Sequence, residues 1–333
     1  MLKRLGWVAV GGFAVGIVCL GLAARLGARD LPGFVPWPHH WANAVLCPDD
    51  GDLKTTSGGT ERRWAWDGGE IAGKRILLYP EQGLSDVLLF VRFARELKRR
   101  GAHVIVLCQA LLKDLLAGTD YVDEVVAEGE RLPRFDLHAS LVSLPHLCRA
   151  DFTALSAPYL KAPDESRVRL GHLEKAKLRI GIYWAAMPGQ PQDRQRSAPF
   201  PKFLALAGDP ELLVFSLQGG VHQKDIQQFG AGGLMHDVGR GIFDFAEAAT
   251  ALDQIDLLIS IDAPIAHLAA AMGVRTWVLL PLAADWRWQL GGTRAPWYPS
   301  ARLFRQSKVG DWEAVFASVQ EALEDLKDEV SRP

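Results

Sequence analysis

The chain has 333 residues, 49% of them hydrophobic, and its 37 basic and 39 acidic side chains leave a net charge of −2. That length and composition can fill the cores of two domains of ordinary size. A near-neutral charge and one short basic run, Lys98-Arg99-Arg100, exclude a global attraction to nucleic acid.

In chain order, Lys3-Arg4 is followed by Leu5–Ala24, an uncharged stretch about as long as a helix needs to cross a bilayer. The expectation is one transmembrane helix within a membrane anchor over 1–29. A cleaved signal peptide, with Leu26-Gly27-Ala28 as the small-residue site, is the alternative. Gly12 and Gly16 form a G-x-x-x-G, a spacing that lets helices approach closely, so a homodimer through the anchor stays open. Lys3 and Arg4 on one side oppose Arg25 and Arg29 on the other, which leaves orientation to be argued from function. Residues 30–69 are rich in Pro, Trp, Gly and charge and read as a juxtamembrane linker resting partly on the domain through Trp37, Trp41, Trp64 and Trp66. His39-His40 has no third ligand close in sequence, so no metal site is expected. Cys19, Cys47, Cys108 and Cys148 are scattered without a C-x-x-C, as reduced and mostly buried thiols would be.

Beyond residue 70, short apolar runs alternate with amphipathic ones. Arg75–Tyr79, His103–Cys108 and Asp123–Ala127 read as strands, with helices over about 86–100 and 109–117. A second series has strands at Leu178–Ala185, Leu212–Gln218, Asp256–Asp262 and Thr276–Pro281, and a closing helix over Trp312–Lys327. Such alternation predicts right-handed βαβ units and parallel sheets. The fold class is therefore α/β, with two Rossmann-like domains, 70–160 and 161–333, facing across a cleft.

Two motifs fall where such a cleft places ligands, at the carboxyl ends of strands. The first, LLYPEQGLSDVLLF, puts Glu81, Gln82, Gly83, Ser85 and Asp86 at a strand-to-helix turn. The second, SIDAPIAHLAAAMG, ends a strand at Asp262 and opens a helix near Pro264, a residue suited to the first helical turn. Unpaired amides there, on Ile265 and Ala266 beside Ala263, can receive a phosphate or diphosphate, with His267 close by. Asp262 as a helix cap and His267 as a half-buried spacer is the other reading.

The residues YPEQGLSDVLLFVRF, FDLHASLVSLP, QDRQRS, FSLQ, SIDAPIAHLAAAMG, LPLAADWRW and PWYPSARLFRQ resemble glycosyltransferase family 9, which includes the lipopolysaccharide heptosyltransferases. They are more similar still to the glycosyltransferase-like domains that follow tetratricopeptide repeats in bacterial proteins. The resemblance runs from about Trp64 to Ala317. It implies a GT-B fold, acceptor side first and nucleotide-sugar side second, with no required metal and no cofactor. By resemblance Asp86 is the base that deprotonates the acceptor hydroxyl; capping of a helix beginning at Val87 is the alternative. Asp262, Ala263, Ile265, Ala266 and His267, with Arg194 and Arg196 of QDRQRS, would face the diphosphate. Gln218 would meet the nucleotide, and Trp286 and Arg287 of Asp285-Trp286-Arg287-Trp288 a sugar, base or phosphate. Glu81, Gln82, Gly83 and Ser85 fall on the acceptor side. The chain departs from the family pattern at Ser85, Ala186, Met187, Ala263 and Pro264, where relatives commonly carry Gly, Gly, Asn, Thr and an amide donor.

Three readings result. The first is a membrane-anchored, inverting glycosyltransferase that uses a nucleotide-diphosphate sugar and a glycan, lipid-linked or protein acceptor. The second is a decayed GT-B scaffold or binding module, and the third a GT-B enzyme of another reaction, such as an epimerase. For the first, a single-pass protein of the bacterial inner membrane with its soluble domain in the cytoplasm is expected, because nucleotide sugars are cytosolic.

Overall fold

A computed structural model describes residues 64–81, 83–149, 157–165, 168–171, 176–186 and 193–331. The expected membrane span, Cys19, Cys47, His39-His40 and Gln82 lie outside the described residues. Among the described residues no helix is long and apolar enough to cross a membrane.

The first half is a parallel sheet of β1 (Trp64–Ala65), β2 (Arg75–Tyr79), β3 (His103–Cys108), β4 (Glu124–Ala127) and β5 (Leu137–Ser140), in the order β1-β5-β2-β3-β4. Its helices are α1 (Leu84–Phe90), α2 (Ala94–Arg99), α3 (Lys113–Ala117) and α4 (Leu144–Leu147). Strand β2 is buried from Ile76 onward, as its unbroken apolar run requires of a strand covered on both faces. Register pairs Ile76 with Val104 of β3 and Leu77 with His138 of β5.

The second half contains β6 (Leu178–Tyr183), α5 (Asp193–Arg196), α6 (Phe200–Ala207), β7 (Leu212–Ser216), α7 (Asp225–Gln228), β8 (His236–Asp237), α8 (Phe245–Leu252), β9 (Leu257–Ile261), α9 (Pro264–Ala271), β10 (Thr276–Leu280), β11 (Arg294–Ala295), β12 (Tyr298–Arg305) and α10 (Trp312–Ser331). Its sheet runs β11-β12-β10-β9-β6-β7-β8 and is parallel except for the β11–β12 pair. In each half the first long strand is central and the chain then works outward on both sides, which is Rossmann-like order. The order reverses between β2 and β5 in one sheet and between β6 and β9 in the other. Loops leaving those strands carry the two sequence motifs.

The central strands of both series stand where periodicity predicts them. The differences lie at ends and edges. The first sheet begins at Trp64, inside the expected linker, and Trp66 is buried in the core. Helix α1 begins at Leu84, so Asp86 is its third residue and caps nothing; the N-cap position is Gly83. The expected helix over 109–117 is a 3₁₀ turn, Ala110–Leu112, leading into α3. Strands β5 and β12 and helices α6 and α8 were not predicted from periodicity. Cys108 and Cys148 are free and buried, and burial pushes both thiols up to about 12.

The halves meet along α1 and α9, which pack directly on each other. Ile265 to Ala271 are all buried, and four alanines among them let α1 come close. The Tyr159 and Leu160 N–H groups donate to the Ala271 carbonyl at 2.9 and 3.3 Å. Arg92, just beyond α1, is 1% exposed. It donates to the carbonyls of Leu89 and Trp297 and to the Tyr159 hydroxyl, at 2.8 to 2.9 Å, and stacks over the rings of Tyr159 and Tyr298. Arg92→Met keeps the volume but strands buried acceptors, so it is expected to cost about 3 kcal/mol. A lower urea midpoint of unfolding checks this.

Candidate functional site

Asp86 lies in the first turn of α1, where the chain leaves the switch point of the first sheet. Glu81 and Ser85 beside it are half-buried and Gly83 is exposed. Asp86 itself is 1% exposed, and its Oδ1 accepts from Nε of Arg287 at 2.9 Å and also from Nη2. Its Oδ2 is buried without a hydrogen-bond partner. Burial raises the pKa of Asp86, and Arg287 opposes that rise through charge and hydrogen bonding.

Arg287 comes from the 3₁₀ turn Trp286–Trp288 that follows β10. Asp285 caps this turn by accepting from the Arg287 N–H at 3.0 Å, and the same Oδ1 accepts from Nη1 at 2.7 Å. The guanidinium therefore bridges a carboxylate of its own loop and one from the other half of the protein. Burial would lower its pKa, but Asp285 and then Asp86 outweigh burial and hold it raised. Trp286 is 39% exposed, lies under the guanidinium at 4.8 Å and stacks on Phe90 of α1 at 6.4 Å. Gln289 closes the turn at φ 63, a left-handed conformation uncommon for a residue other than glycine.

The third component is the corner between β9 and α9. Asp262 is buried; burial raises its pKa, Asp285 adds to the rise, and the Trp288 indole, Arg196 and Arg287 counter it. The Trp288 N–H faces this carboxyl without meeting ordinary hydrogen-bond geometry. His267 is fully buried, with Nδ1 3.0 Å from the Tyr298 hydroxyl, its ring 4.7 Å from that of Trp288, and Nε2 3.9 Å from Asp262 Oδ1. Burial, then Arg287 and Arg92, hold its pKa well below the ordinary range, so the imidazole is neutral. Arg196 is half-buried, with Nη2 on Asp193 at 2.8 Å and Nε without a partner. Among the described residues no group of three or more His, Cys, Asp or Glu is placed to hold a metal.

Known structures share this arrangement of sheets. A glycosyl transferase family 9 protein from Veillonella parvula superposes with a TM-score of 0.56 at 14% identity, covering 78% of this chain and 99% of that one. The fold of the described residues is that of glycosyltransferase family 9. The E. coli ADP-heptose LPS heptosyltransferase II aligns with a TM-score of 0.52 at 15% identity, over 76% of this chain and 99% of its own. The iron-containing dodecameric glycosyltransferase TibC of enterotoxigenic E. coli gives 0.53 at 9% identity, over 79% and 78%. At these identities the likeness is one of fold. Protein FlbA of Caulobacter vibrioides is 26% identical in a 291-residue alignment that covers 78% of this chain, and the chain spans about half of that protein's length (48%). No model of a known protein family matches the chain.

Within the family 9 fold, Asp86, Asp262, His267, Arg196, Trp286 and Arg287 gather around the facing switch points. Gln82 and the side chain of Arg194 lie outside the described residues. Ala263, Ile265 and Ala266 line the start of α9 and are buried. Two expectations change. Gln218 was expected to meet the nucleotide, but its Oε1 accepts from the Trp184 and Ala185 N–H groups and its Nε2 donates to the Ala185 and Gly219 carbonyls. It is a strut for the loop after β6. His267 was expected beside the helix amides and instead lies in the core, with its Nδ1 on Tyr298. Asp262 is not a cap either, since Ala263 holds that position. Sequence reasoning passed over Arg92, Tyr159 and Tyr298, although an arginine inside the apolar run Val87–Phe93 was a visible signal.

A buried neutral histidine fixes the sign of a pH effect. Below its ordinary value of 6.5 the unfolded imidazole takes up a proton that the native one refuses, so stability falls as pH drops through that range. His138, also lowered by burial, acts in the same sense. His267→Gln, which keeps a partner for Tyr298, should remove about 1 kcal/mol of the stability lost between pH 6.5 and 5.5. Urea unfolding of both proteins at the two pH values checks this.

Proposed function

We propose that the chain is a glycosyltransferase that moves a sugar from a nucleotide-diphosphate donor to an envelope glycan, lipid-linked or protein acceptor, with inversion and without a required metal. The observation that carries this is the bond of Asp86, from the first switch point, to Arg287, whose charge also reaches Asp262 at the second, in a family 9 fold. The E. coli neighbour is named for ADP-heptose, and a second TibC structure is in complex with ADP-D-beta-D-heptose, which supports a nucleotide-diphosphate sugar here.

In this reading, the acceptor hydroxyl gives its proton to Asp86 while its oxygen bonds to the anomeric carbon. The carbon–oxygen bond to the diphosphate breaks on the opposite face, and the nucleoside diphosphate leaves with its charge against Arg287, Arg196 and the start of α9. A carboxyl whose pKa is raised by burial is a stronger base than an exposed aspartate. Residues 5–24 would anchor the protein in the bacterial inner membrane with the catalytic part in the cytoplasm, where nucleotide sugars are made.

A second reading, a decayed scaffold, draws on two facts. Asp86 is covered by Arg287, and α9 opens with Ala263-Pro264, which supply neither a hydroxyl nor a proline amide. Turnover separates the two. With membrane extract as acceptor and a panel of ADP-, UDP- and GDP-sugars, the wild type should release one nucleoside diphosphate, and Asp86→Asn should lose at least about 100-fold in rate. Activity of the wild type should rise with pH through a limb above the ordinary aspartate value of 3.8. Equal turnover by Asp86→Asn removes Asp86 from the mechanism, and no release from any sugar favours the scaffold.

A further inference from the structure

The candidate base is out of reach as the protein stands. Both oxygens of Asp86 are shielded: Oδ1 holds two N–H groups of Arg287, and Oδ2 is buried with no partner. An acceptor hydroxyl therefore gains Asp86 only if the Arg287 side chain moves off it. Trp288 anchors the 285–288 turn in the core, and the charge of Arg287 is balanced within it. Asp285 is bonded to both the backbone and the Nη1 of Arg287, and its side chain is 36% exposed. Arg287 leaving Asp86 would keep a carboxylate partner.

What draws a guanidinium from a buried carboxylate is another anionic oxygen in its place, since an uncompensated buried charge is costly. The neighbouring β9–α9 corner supplies the location. Asp262 there feels Arg196 and Arg287 together, and the positive end of the α9 helix dipole lies at the same corner, although Pro264 has no N–H and the Ala266 N–H is engaged by the Ala263 carbonyl. A diphosphate at that corner offers oxygens to the planar fork of an arginine.

We propose that Arg287 is a two-position residue: it covers Asp86 in the arrangement described above and is drawn off by the diphosphate of a bound donor, so that the acceptor hydroxyl reaches Asp86 only after the donor is in place. This rests on the glycosyltransferase reading and adds to it an order of binding. Departure of Arg287 also removes the cation that restrains Asp86, so uncovering the base and strengthening it are one event.

The test uses the full chain in detergent, titrated by calorimetry with ADP, UDP and GDP. Asp86 competes with the diphosphate for Arg287, so Asp86→Asn and Asp86→Ser should both bind the preferred diphosphate about three- to tenfold tighter than the wild type. Arg287→Met should bind it about tenfold or more weaker. In the wild type, which needs no folded variant, the diphosphate should speed amide hydrogen exchange in 84–90 and 285–288. Tighter binding by the Asp86 variants with faster exchange supports the proposal. Unchanged or weaker binding by those variants, or unchanged or slower exchange in both segments, overturns it while leaving the donor site standing. Failure of every protein to bind any diphosphate overturns it together with the glycosyltransferase reading.

Discussion

The close packing of α1 on α9 sets everything else in this protein. An α-helix that must lie against a sheet on one side and another helix on the other has little room for large side chains, and Ala266, Ala269, Ala270 and Ala271 provide the clearance. Each of the two helices starts at the switch point of its own sheet. Bringing their flanks together therefore brings Asp86, at the start of one, near Asp262 and the 285–288 turn beside the start of the other. A leucine in place of Ala269 or Ala270 would push the helices apart and separate the charged groups before any of those groups was altered.

This proximity forces polar groups out of water, and the fold answers with a connected network. His267, Tyr298, Tyr159 and Arg92 pass hydrogen bonds and ring contacts from the core of the second half into the first. The cation of Arg92 is satisfied by carbonyl and hydroxyl oxygens, whereas that of Arg287 is satisfied by carboxylates. The contrast separates the two roles. An arginine bonded to neutral groups is fixed in place by geometry, while one held between two carboxylates can exchange partners at constant charge.

The central strands were legible because a parallel sheet covered on both faces leaves unbroken apolar runs, as in RILLY and TWVLL. Strand β12 was not, because YPSARLFR places exposed Pro299 and Arg302 among buried residues, as an edge-proximal strand tolerates. Helix α8 carried a readable start in Asp244 and Glu247, whose side chains accept from the Glu247 and Phe243 N–H groups, but its short alanine-rich body is buried on nearly every face. In the site, residue types at strand ends pointed to the right loops. They could not tell which polar groups were already spent. Gln218 and His267 sit at informative positions in sequence, yet contacts to Trp184, Ala185 and Tyr298 engage them, and those partners are far away along the chain. The pairing of Asp86 with Arg287, 201 residues apart, was invisible for the same reason.

The seven-stranded sheet ends on both sides in a strand of two residues, β8 at one edge and β11 at the other. An exposed edge is a template for a further strand from another molecule, and its strength grows with the number of free backbone groups in register. Two residues offer too few, and at the β11 edge the first of them is an arginine facing Arg302 across the pair. Copies crowded side by side are thus kept from zipping sheet to sheet through this half, and any lasting association between them has to be made through side-chain surfaces, where it can be specific and reversible.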